Sequence, residues 1–132
     1  MKAYEDVFKT PGAFSWTELI TPDPKAAAAF YGKLLGWKFD AMQMAEGGEY
    51  TVVKVGDSGM GGIMATPPGA QGMPPMWGCY VTVADTDATV AQCKALGGKV
   101  ITGPMDIPKV GRFAVLQDPQ GAIFNVIAYS MG

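Results

Sequence analysis

The sequence coincides with itself at an offset of 62 residues. Slid by that amount, Asp23 falls on Asp85, Ala26 on Ala88, Ala29 on Ala91 and Leu34 on Leu96. Gly36 falls on Gly98, Val53 on Val115 and Gly59 on Gly121, with no gap. These positions sit at expected helix starts, helix ends and tight turns, where backbone geometry dictates residue type. A fixed period of this kind reports a repeated supersecondary unit that cannot bury its apolar face alone. The 132 residues therefore read as one domain of two equivalent halves, with any site expected between them.

Each half reads as strand, helix, then three strands. Ala13 to Thr21 is a strand on which Trp16, Glu18 and Ile20 share a face. Asp23 followed by Pro24 starts a helix, an N-cap acceptor before proline at the first helical position. Gly36 ends it in the left-handed conformation. Strands follow at Trp37 to Met44, Glu49 to Val55 and Met60 to Ala65, with turns at Gly47-Gly48 and Gly56 to Gly59. Residues 13–65 form the first module, and the Pro/Gly-rich stretch 66–75 a linker. The second module, 76–129, has a strand Met76 to Val83 and a helix from its cap Asp85 to about Leu96, ended by Gly97-Gly98. Strands at Lys99 to Met105, Val110 to Gln117 and Ala122 to Tyr129 complete it, with a turn at Asp118-Pro119-Gln120-Gly121.

Composition removes several function classes. A net charge of −2, with ten Lys and Arg spread along the chain, lacks the basic face that nucleic acid demands. No apolar run reaches the length of a membrane span. Met1 to Pro11 carries Glu5 and Asp6 and no apolar core of a signal peptide, so a cytoplasmic location is expected. Cys79 and Cys93 then read as reduced, small buried hydrophobes. Histidine is absent, which excludes Ser-His-Asp and Cys-His nucleophile machinery. Gly59-Met60-Gly61-Gly62 lacks the Lys-Ser/Thr of a phosphate loop and opens a strand.

The chain resembles the vicinal oxygen chelate superfamily, which includes glyoxalase I, bleomycin-resistance proteins and extradiol dioxygenases. The resemblance is carried by Trp16-Thr17-Glu18-Leu19 with Asp23, by Phe30-Tyr31 and Leu34-Leu35-Gly36-Trp37, by Val83 to Ala88, and most specifically by Gly111 to Gly121. It implies an α+β fold of two tandem βαβββ modules whose curled mixed sheets surround a cavity. In metal-dependent members, ligands come from the first and last strands of a half. Those positions fall here on Trp16, Gly78, Ile63 and Asn125, none of which suits a divalent ion. No metal and no cofactor are therefore expected.

Alternation along the strands places Glu18 and its 62-residue mate Tyr80 on the cavity face, with Asn125 beside them. Burial would let Glu18 act as a general base, with Tyr80 as its acid–base partner; a strand carboxylate that is solvated or paired with a lysine is the other reading of Glu18. Trp16 and Trp77 read as ligand platforms or as core. Tyr50 and its offset mate Arg112 lie on third strands, and an arginine in the cavity would meet an anionic ligand; a solvated arginine fits the sequence equally. The candidate ligand-binding set is thus Trp16, Glu18, Tyr50, Trp77, Tyr80, Arg112 and Asn125. The favoured function is a metal-free binder of a small, partly aromatic molecule in the cavity between modules. The alternative is a glyoxalase-related lyase, isomerase or dioxygenase, using Glu18 and Tyr80 or an atypical metal site. A homodimer is the expected assembly.

Overall fold

A computed structural model describes residues 6–43, 48–67, 69, 72–107 and 110–130. The expected strand end at Met44, the turn residue Gly47 and part of the 66–75 stretch lie outside the described residues. The chain divides into two compact units, Trp16–Gly78 and Met1–Ser15 with Cys79–Gly132. The fold is α+β, and each run of chain follows the order strand, helix, three strands.

In the first run, strand β1 (Phe14–Thr21) leads into helix α1 (Pro24–Leu35), then β2 (Lys38–Gln43), β3 (Glu49–Val55) and β4 (Ser58–Ala65). The Asp23 carboxylate accepts from the Ala26 amide, Pro24 opens the helix, and Gly36 closes it at φ 75°. β1 runs parallel to β4, and β4 to β3 and β3 to β2 are antiparallel. Leu19, Val53 and Ile63 are buried on the α1 face, with Ala27, Tyr31, Trp37 and Phe39 packed against them. β4 starts at Ser58, so the turn is the two residues Gly56-Asp57 and not the four from Gly56 to Gly59. Gly56, at φ 60°, supplies the left-handed backbone that such a hairpin needs.

The second run repeats the order with β5 (Met76–Thr82), α2 (Thr86–Ala95), β6 (Lys99–Ile107), β7 (Gly111–Gln117) and β8 (Ile123–Tyr129). Asp85 caps α2 through the Ala88 amide. Val90 from α2 packs on Ala114, Leu116 and Val126. The Asp118 carboxylate accepts from the Gln120 and Ala122 amides and fixes the β7–β8 turn.

The gapless offset of 62 holds only through the helix starts. Gly97, at φ 93°, does for α2 what Gly36 does for α1, an offset of 61. Two register shifts in β6, between Val100 and Thr102 and between Thr102 and Met105, then add residues. Past them the offset is 63. Leu116 and Val126 occupy the core positions of Val53 and Ile63. Glu18 pairs with Gly62, as Tyr80 pairs with Asn125. The counterpart of Asn125 is therefore Gly62, not Ile63, and the counterpart of Tyr50 is Phe113, not Arg112.

Candidate functional site

The candidate site lies on the face of β1, β3 and β4 turned away from α1. Strand alternation decides which side chains reach it. Leu19 points to α1, so Trp16, Glu18 and Ile20 point the other way, as the alternation on β1 requires. Tyr50 joins them from β3. Its phenol passes over Gly62, where any Cβ would overlap the ring. A strand glycine marks this kind of close approach, and it is the sequence signal for the place of the Tyr50 ring.

Three half-buried side chains form a hydrogen-bonded run on that face. The Trp16 indole Nε1–H donates to the Tyr50 hydroxyl at 2.9 Å. The Tyr50 hydroxyl donates to Glu18 Oε2 at 2.8 Å. Both donors are oriented in series toward one carboxylate, and a donor to an ionised acceptor makes the stronger bond. The sequence named all three residues but paired Tyr50 with Arg112 and missed the run.

Tyr80 and Asn125 belong to the other compact unit, and Trp77 to the unit of Glu18. Tyr80 is buried at 7% exposure on β5, level with Asn125 on β8. Its ring lies 6.4 Å from that of Phe113. The Asn125 amide donates to the Cys79 carbonyl at 3.2 Å. Trp77 stands on the α1 face of its unit, donating to the Tyr31 hydroxyl at 3.1 Å. It does not share a face with Glu18.

Arg112 alternates with Ala114 and Leu116 and so faces α2. Its guanidinium holds Asp87 of α2 with two hydrogen bonds, 2.8 and 3.1 Å, and Asp106 with one of 3.2 Å. The bond from Asp87, then that from Asp106, raises the pKa of Arg112, and the same bond lowers that of Asp87. The one-residue change of offset explains the placement: parity flips between Tyr50 and Arg112. Structurally, Arg112 ties β7 to its helix and to β6.

A family model described as Glyoxalase/Bleomycin resistance protein/Dioxygenase superfamily matches residues 13–126. The chain belongs to that superfamily. The Mycobacterium tuberculosis protein named "Putative glyoxylase CFP32" is 49% identical over 116 residues, covering 88% of this chain and 44% of the relative. The Streptomyces peucetius anthracycline biosynthesis protein DnrV is 36% identical over 128 residues, covering 88% and 46%. The chain thus spans less than half the length of these curated relatives. Among solved structures, methylmalonyl-CoA epimerase from Mycobacterium tuberculosis superposes with a TM-score of 0.65 at 14% identity, covering 90% of this chain and 89% of that one. A methylmalonyl-CoA epimerase in complex with methylmalonyl-CoA and NH4+ gives 0.62 at 18%, covering 89% and 94%. At these identities the likeness shows the fold.

The ligand positions that the superfamily implies do not fit a divalent ion. The structure puts Trp16, Gly62, Gly78 and Asn125 there, an indole, two glycines and a neutral amide already bonded to a backbone carbonyl. Among the described residues, no three His, Cys, Asp or Glu come together. No described helix is long and apolar enough to cross a membrane.

Proposed function

We propose that this chain is a metal-free binder of a small, partly aromatic molecule, seated on the sheet face that carries Trp16, Glu18 and Tyr50. The carrying observation is the indole–phenol–carboxylate run. It offers two flat rings for stacking and one anionic acceptor for a ligand hydroxyl or amine, the usual plan of apolar surface with few fixed polar groups. The Streptomyces relatives are named for anthracycline biosynthesis, and an anthracycline is a planar aromatic, which supports the ligand class. Tyr80 and Asn125 are the ligand-facing candidates of their own unit. A second reading, an acid–base lyase or isomerase, rests on the same Tyr50–Glu18 bond, through which Glu18 would accept a substrate proton beside a phenol donor.

A homodimer belongs to the same proposal. The 116 matched residues make 44% of the mycobacterial relative, whose full length is therefore about twice this chain. A light-scattering mass of one chain at micromolar concentration contradicts that assembly.

The test is a fluorescence titration with a panel of hydroxylated planar aromatics, before and after chelation, on wild type and Glu18→Gln. The expected result is chelator-insensitive quenching that weakens about tenfold in the variant, the fold-change of losing one charge-assisted hydrogen bond. Affinity unchanged by Glu18→Gln, or abolished by chelation, overturns the reading. Turnover of a panel member that disappears in Glu18→Gln would select the acid–base reading.

A further inference from the structure

The opposite face of the same sheet carries a recess. Thr17 follows Trp16, so its side chain points to the α1 side. There, a cavity of about 280 Å3 is lined by Thr17, Trp37, Val53, Met60, Gly61 and Trp77. Its construction follows from one irregularity. Val53 pairs with Gly61 but Lys54 pairs with Gly59, so Met60 is an extra residue on β4. Such a bulge turns two successive residues to one side, and Met60 joins Gly61 at the recess. A Cβ on Gly61 would overlap the Thr17 carbonyl, so glycine is required there and the floor stays open.

The walls are aromatic and set at right angles. Tyr31 stacks on Trp37 with ring centres 5.5 Å apart. Trp77 stands edge-on to both, at 77° to Tyr31 and 83° to Trp37. The Trp77 N–H is engaged by Tyr31, so the indole presents only its apolar surface to the recess. Trp77 remains 37% exposed and Met60 55%, which leaves the rings open to solvent. Thr17 is exposed, and its hydroxyl makes no hydrogen bond among the described residues.

We propose that this recess is a second ligand site, separate from the Glu18 face, for a neutral planar molecule of one or two aromatic rings bearing a hydroxyl or amine. Ring size follows from volume, since drug-sized ligands occupy roughly 300–1,000 Å3. Neutrality follows from the lining, which contains no charged side chain. A right-angled aromatic corner also attracts quaternary ammonium ions, but here no carboxylate accompanies it. The ring lies against Trp37 with its edge on Trp77, the thioether of Met60 closes the mouth, and Thr17 takes the polar substituent.

The chain has three tryptophans, two in this recess and Trp16 on the other face, so their indole N–H resonances report the two sites separately. The probe is 2-naphthol titrated into the 15N-labelled full chain, with resonances assigned by single Trp→Phe variants. The expected result is saturable movement of the Trp37 and Trp77 signals at a concentration dependence of their own, with any movement of Trp16 reporting the Glu18 face separately. Thr17→Val should weaken binding about fivefold, the fold-change of one neutral hydrogen bond, and Glu18→Gln should leave it unchanged. The proposal is overturned if Trp37 and Trp77 do not move at millimolar naphthol, if only Trp16 moves, or if tetramethylammonium moves them where naphthol does not. Movement of Trp16 alone would leave the Glu18-face reading standing while removing this one.

Discussion

Replacing Tyr50 by Phe tests the site at its centre, because the phenol oxygen is the only atom shared by both hydrogen bonds. The substitution keeps the ring that lies over Gly62 and removes the acceptor for Trp16 and the donor to Glu18. A neutral hydrogen bond contributes about 1 kcal/mol, and one to a charged group roughly twice that. All three side chains are half-buried, so Trp16 and Glu18 recover part of the loss from water. The expected cost is roughly 1.5–2.5 kcal/mol, the two contributions less that rehydration. For a chain of this length that is a fall in Tm of roughly 4–12 °C. Urea denaturation gives the free energy, and the Trp16 indole N–H resonance gives the local bond. A double-mutant cycle with Trp16→Phe should return a coupling of about 0.5–1 kcal/mol. A Tyr50→Phe cost below about 0.5 kcal/mol, with the Trp16 resonance unmoved, would show that the run does not form in solution.

Two further outcomes follow from the same structure. Gly62→Ala should displace the Tyr50 ring and break both hydrogen bonds, so it should cost at least as much as Tyr50→Phe and add little in that background's hydroxyl-dependent signal; an unmoved Trp16 resonance in Gly62→Ala contradicts the packing. Burial raises the pKa of Tyr129, against an opposing hydrogen bond with Ser15 of 2.8 Å. The folded chain therefore holds this proton more tightly than the unfolded one. Its stabilisation is complete below about pH 10 and is lost as pH rises above that value toward the folded pKa. Urea midpoints measured between about pH 9 and 12 should fall more steeply in wild type than in Tyr129→Phe, and equal slopes refute the assignment.

The parts of this fold that were legible in the sequence are those set by local chemistry. Asp23-Pro24 and Asp85 marked both helix starts because a capping carboxylate acts within three residues. The succession of strand, helix and three strands along each run was read in both halves. What escaped was register, which depends on residues far apart in sequence. The two shifts in β6 leave no mark in an alignment that scores only identities. They made Gly62, not Ile63, the counterpart of Asn125 and turned Arg112 onto the helix face, where Asp87 and Asp106 hold it. Likewise, the first strand revealed that Trp16 and Glu18 share a face, but nothing local announced that Tyr50 would bridge them across 32 residues. Gly61-Gly62 held that information, and its meaning appears only once β1 and β3 flank it.

Consecutive glycines 61 and 62 also constrain how this chain can change. Gly61 is held by the backbone of β1 and Gly62 by the ring of Tyr50. Position 62 is the counterpart of Asn125, where a carboxylate would be needed to build an ion-binding centre. A single Gly62→Glu step cannot install one, because Tyr50 already fills the space. The ring must leave first, and its departure dismantles the Trp16–Glu18 bridge before any new function exists to replace it. The two positions are therefore epistatic: a side chain at position 62 requires the Tyr50 ring to move, and with it the hydrogen bonds to Trp16 and Glu18. Glycine 62, with no side chain of its own, thus fixes the choice at position 50 as firmly as any contact the tyrosine makes.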